Sequence, residues 1–163
     1  MQPARTPLPP ILTKYLPWGE RFFLVASFIG LVLHFMNAGS QVMFMSLTGL
    51  AMVYFLYPYR PLETPGSDQK QGFTELLAFT IVPKVSWISC SVCVIGILFY
   101  LLNYEGAKQM LFIGSSTLSF ILVIIAIFFV TGVKNVNALV FILYRAVPVV
   151  FVCLYIFLKY GLA

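Results

Sequence analysis

Charge is what this sequence has least of. Asp, Glu, Lys and Arg together make up 9% of 163 residues, and only five of them are acids. That scarcity excludes an ordinary soluble domain, in which roughly a quarter of residues are charged. Histidine occurs once, at His34, so bis-histidine haem ligation is excluded, and a pH-sensing role would need a partner that is not visible. Cysteine occurs three times, as Cys90, Cys93 and Cys153, each inside an apolar stretch. That is too few, and too deep, for a disulfide framework. No H-E-x-x-H, G-x-S-x-G or phosphate-binding glycine loop occurs, nor any paired-carboxylate arrangement. The chain is therefore not expected to be an enzyme, and no catalytic, cofactor-binding or metal-ligating residue is assigned. Pro3, Pro7, Pro9, Pro10 and Pro17 exclude a signal-peptide core over the first 20 residues. The first apolar segment is expected to stay as a membrane anchor.

What remains is apolar. Hydrophobic residues make up 61% of the chain, more than a water-soluble fold can hide, so the surrounding solvent is lipid. Five spans are expected, at about Glu20–Ala38, Gln41–Tyr57, Val85–Asn103, Ala107–Val130 and Asn137–Tyr160. Each approaches the roughly 20 residues a helix needs to cross the hydrocarbon. Helices follow because lipid offers the backbone no outside hydrogen-bond partner, and no period-two alternation suggests a barrel. The fold class is thus all-α, a multi-pass transmembrane helical bundle. A Pro-rich tail over residues 1–19 precedes a helical membrane domain over 20–163, which leaves no room for a separate soluble domain.

The net charge of +5 reads as a topology signal and a lipid-surface contact, with no nucleic-acid partner. Arg5, Lys14, Arg21, Arg60, Lys70, Lys84 and Lys134 fall on one side of the expected spans, and only Lys108 and Lys159 on the other. The positive-inside rule then puts the N-terminus in the cytoplasm and the C-terminus outside. The loop and interfacial segment at 58–84 is the one substantial connection. Thr74 is a candidate helix N-cap, with Glu75 in the first turn. One straight helix from Thr74 to Asn103 would be about 45 Å long, so its first turns are expected to bend at Pro83 and lie along the membrane surface, the alternative being one long helix that is tilted and kinked.

Two stretches, Ser27–Tyr54 and Val94–Ile121, read as the same helical hairpin written twice. With Gly39 laid on Gly106, Met43 falls on Met110 and Thr48 on Ser115. Both hairpins point the same way, unlike the inverted repeats of many transporters, and the fifth span has no counterpart. Ala26 and Gly30, and Ser115 and Ser119 beside Gly114, form small-residue stripes that suit close helix packing, within the chain or between subunits.

Arg145 is the only charge well inside an expected span, about 12 Å past its inner edge. An intramembrane charge is a functional hypothesis by default. The structural alternatives are snorkelling, a bond to the carbonyl that Pro148 frees at Tyr144, or a salt bridge, for which Glu75 is nearest by depth. All five acids are placed at span edges or in loops, where they cannot serve a proton relay. Cys90-x-x-Cys93 reads as small packing residues, because a thiolate is disfavoured in lipid, and Cys153 is placed towards the opposite face from Cys90.

The second hairpin, Phe99-Tyr100-Leu101-Leu102-Asn103-Tyr104-Glu105-Gly106-Ala107-Lys108-Gln109-Met110-Leu111-Phe112-Ile113-Gly114, resembles one in the inner-membrane motor subunit shared by bacterial gliding motility and type IX secretion. That family's turn reads Met-His-Trp-Pro-Gly-Ala. Gly106 and Ala107 match it, while Asn103, Tyr104 and Glu105 depart from it. The resemblance implies a similar hairpin in a bacterial inner membrane. The family's motor glutamate would fall on Leu118 and Ala51, which cannot carry a proton, so the motor chemistry is not implied. The expected role is a non-catalytic accessory or structural subunit, whose partners are membrane lipids and other integral membrane proteins, or further copies of itself. The alternative is a small transporter or channel that uses Arg145 near a Pro148 kink. Candidate functional or packing residues are Arg145, Pro148, His34, Gly30, Gly114, Ser115 and Ser119.

Overall fold

The computed structural model describes residues 9–36, 40–59, 76–131 and 137–161. These form five long helices, with no strand among the described residues: α1 (Pro10–Phe35), α2 (Ser40–Leu56), α3 (Val82–Leu101), α4 (Ala107–Val130) and α5 (Asn137–Gly161). All five are long and apolar enough to cross a membrane. The expected all-α, five-span architecture is what the chain adopts. The bundle's outside carries exposed Phe22, Phe28, Met45, Phe120, Val123 and Phe151, a surface that suits acyl chains and would aggregate in water.

The start of α1 corrects the expected boundary. The helix begins at Pro10, not at Glu20. Proline is well tolerated in the first helical turn, where an amide hydrogen would have no partner anyway, and the amides of Leu12 and Thr13 both donate to the Pro9 carbonyl. Pro17 sits inside the helix and forgoes one ladder bond. The consequence bears on Glu20, which lies about 15 Å along the helix from Pro10 and is 1% exposed, so its carboxylate is buried among the helices.

The segment before α3 is continuous with it. Leu77–Ile81 forms a wider π-helical turn that runs directly into α3, with Leu76, Ile81 and Val82 all in right-handed helical conformation. The Val82 amide donates to the Leu77 carbonyl, five residues back. Pro83 has no amide hydrogen for this ladder, and one wide turn absorbs the lost bond. Ala78, Val82 and Pro83 are buried, so the described part of this stretch continues α3 as one helical run that packs on the bundle. Thr74 and Glu75 lie outside the described residues.

Helix α3 is the hub, packing on α2, α4 and α5, while α1 packs chiefly on α2. The α1–α2 and α3–α4 hairpins have the most extensive contacts and share one device. A Cβ added at Gly30 would lie 2.6 Å from the Met43 Cα, and one added at Gly96 would lie 3.1 Å from the Leu111 amide nitrogen. In each hairpin a glycine ahead of the turn lets the start of the second helix come close. Gly114 repeats this on α4, where a Cβ would lie 2.8 Å from the Cys93 Sγ. The second turn is made by Asn103 at φ 54° and Gly106 at φ 90°, a backbone region that glycine and asparagine tolerate best. The first turn, residues 37–39, lies outside the described residues.

Candidate functional site

Cross-helix contacts bring one end of α1, α2, α3 and α5 together around two charges. The Arg145 Nε on α5 forms an ion pair with the Glu20 Oε1 on α1. The Tyr57 hydroxyl, just past α2, donates to the other carboxylate oxygen, Oε2, at 2.6 Å. A carboxylate taken out of water requires such partners, because an unpaired buried charge is far more costly than an unpaired neutral group.

Aromatic rings enclose the cation. The guanidinium carbon lies 3.4 Å from the centre of the Phe141 ring, and 5.6 and 5.7 Å from the Trp87 and Tyr57 rings. Tyr57 and Trp87 stack at 4.2 Å with 12° between their planes, and Tyr54 packs against Trp87 at 5.6 Å. A ring face is attractive to a cation, more so where water is excluded. The stack therefore has two functions: Tyr57 orients the anion, and the three rings line the cation. Arg145 Nη1 is shielded, yet has no hydrogen-bond acceptor among the described residues.

Among the described residues Arg145's counter-charge is Glu20, buried between the helices; Glu75, the expected candidate, lies outside the described residues. Pro148, expected to supply a carbonyl to Arg145, is itself exposed on α5. Glu20, Tyr57, Trp87 and Phe141 were not singled out as site residues. The available signal was the pair of prolines at Pro9 and Pro10, which can open a helix and so place Glu20 within α1.

The other candidates do not join this cluster. His34 lies near the far end of α1, its ring 6.3 Å from that of Phe35. Gly30 serves the α1–α2 contact and Gly114 the α3–α4 contact. Ser115 is buried and donates to the Phe112 carbonyl of its own helix at 3.3 Å, while Ser119 is half-buried. The three cysteines are buried free thiols. Cys153 lies against α3, its Sγ 3.9 Å from the Cys93 carbonyl, so α3 and α5 meet there. Among the described residues, no group of three His, Cys, Asp or Glu is placed to hold a metal. Leu118 and Ala51 lie in the core at 0% and 5% exposure, and the Ala51 carbonyl accepts a hydrogen bond from the Ser91 hydroxyl of α3 at 2.8 Å.

The fold and this cluster define an integral membrane protein, a multi-pass helical bundle with an ion pair inside it. No protein family, curated protein or solved structure matches the chain.

Proposed function

We propose that the chain is a non-catalytic accessory or structural subunit of a larger complex in a bacterial inner membrane, with its N-terminus in the cytoplasm. The observation that carries this reading is the use of the interior charges. Glu20 and Arg145 neutralise each other and hold the first helix to the last, an arrangement that serves assembly. The hairpin packing agrees, since Leu118 and Ala51 pack in the core at positions where a motor protein of the resembling family would need an acid. The test is purification in mild detergent with quantitative mass spectrometry of what is retained. A stoichiometric integral membrane partner is expected. A lone monomer or homo-oligomer would overturn the reading.

One observation favours a transporter instead. Arg145 keeps 17% of its side chain exposed, and its buried Nη1 has no acceptor among the described residues, so a permeating anion would need the enclosing rings to open. That reading requires a measurable flux in vesicles containing the purified protein, lost in Glu20→Leu/Arg145→Leu while the bundle stays folded.

A further inference from the structure

We infer that the outward face of α1, at its N-terminal end, is a binding site for an anionic phospholipid. Lys14, Trp18 and Arg21 hold the headgroup, and the apolar residues that follow lie along the acyl chains. The inference does not depend on the subunit reading. It starts from helical spacing. Steps of three and four residues put Lys14, Trp18, Arg21, Val25, Phe28 and Val32 on one stripe of α1, and all six are exposed. Leu16, Glu20 and Gly30, on the other side of the helix, are buried. The helix thus turns one face to α2 and sets a stripe outwards that is basic first and apolar after.

Depth matches that order. α1 has 26 residues, about 39 Å at 1.5 Å each, which exceeds the hydrocarbon and approaches the full bilayer with its headgroups. With Phe35 at the far boundary, the roughly 20 residues that cross the hydrocarbon begin near Leu16. Lys14 then lies among the headgroups and Arg21 about 8 Å below them. Helical side chains lean towards the N-terminus, here the headgroup side, so the long Arg21 stem can run back past Trp18 and bring its guanidinium to the phosphates. Trp18, 72% exposed, adds an indole N–H at the same level. Neither cation has an acid on its own face of α1. Glu20 is buried on the opposite side and is neutralised by Arg145. An open face gives a free anion no enclosure. A lipid brings its phosphate already held at this depth, and Val25, Phe28 and Val32 continue the stripe where its chains run.

Trp18 and Trp87 are the only tryptophans, and Trp87 is buried, so Trp18 fluorescence reports the lipid beside it. The intact protein is placed in vesicles of equal phosphatidylglycerol and phosphatidylcholine, with bromine on the chains of one lipid or of the other. A cation near an anionic surface favours it about fivefold. Phosphatidylglycerol should therefore be held about five- to thirtyfold over phosphatidylcholine, seen as stronger quenching when it carries the bromine. Lys14→Gln/Arg21→Gln should make the two lipids equal, and exposed side chains can be replaced with little effect on folding. Lys14→Met/Arg21→Met serves if the glutamine pair does not insert. Lys84→Gln, which removes a half-buried cation of α3 away from this stripe, should leave the preference intact. Equal quenching in the wild type overturns the inference and would leave the basic stripe to an acidic partner protein. A preference that survives the double substitution overturns it too, as does one lost equally in Lys84→Gln, since it would then follow net charge and not this face.

Discussion

A carboxylate and a guanidinium inside a bilayer protein stabilise it only as a pair. Removing one leaves the other buried without a counter-charge, which costs about 3–5 kcal/mol, whereas replacing both by apolar side chains of similar size is often neutral or better. Arg145→Leu should therefore lower the thermal midpoint sharply in detergent, and Glu20→Leu/Arg145→Leu should recover most of the loss. A double variant no better than the single would mean that the pair is not coupled. Tyr57→Phe keeps the stack on Trp87 and removes only the hydroxyl that donates to Glu20. A hydrogen bond to a charged group contributes about 1.5–3 kcal/mol, so this variant should fall between wild type and Arg145→Leu. At this scale the sequence was half legible. Arg145 stood out because nothing near it in the chain is charged. Glu20 did not, because its burial depends on contacts with Tyr57 and Arg145 far along the chain, and the prolines before it read as a tail.

A helical hairpin in lipid gains no hydrophobic force from closing, so close backbone approach and interhelical hydrogen bonds must hold it. Gly30 and Gly114 provide the approach, each against the backbone of the facing helix. Gly30→Leu and Gly114→Leu should each force their hairpin apart, with overpacking losses of about 1–3 kcal/mol or more, seen as lower midpoints and lower yield of folded protein. Ser91→Ala removes one bond to the Ala51 carbonyl and should cost only about 0.6 kcal/mol. Were the serine change the larger one, polar bonding and not close packing would be the main adhesive. The close packing of Gly30 was readable from the small-residue stripe. The π-helical turn at Leu77–Ile81 was not, because Pro83 announces a lost hydrogen bond without saying whether the backbone bends or widens to absorb it.

At the scale of the molecule, the α1–α2 hairpin is joined to α3, α4 and α5 by the packing of α2 on α3, which includes Ser91 on Ala51 and Trp87 against Tyr54 and Tyr57, and by the Glu20–Arg145 pair. Only the last of these ties α1 directly to α5. If helices insert first and associate afterwards, this link should form between separate chains. Co-expressed fragments 1–66 and 67–163, cut in the connection between α2 and the α3 extension, should co-purify when only one of them carries a tag. Arg145→Leu in the second fragment should reduce recovery of the first, since Glu20 would have to be buried unpaired. Adding Glu20→Leu to the first fragment should restore it. Recovery indifferent to Arg145→Leu would assign the join to the α2–α3 contact alone and leave the ion pair outside assembly.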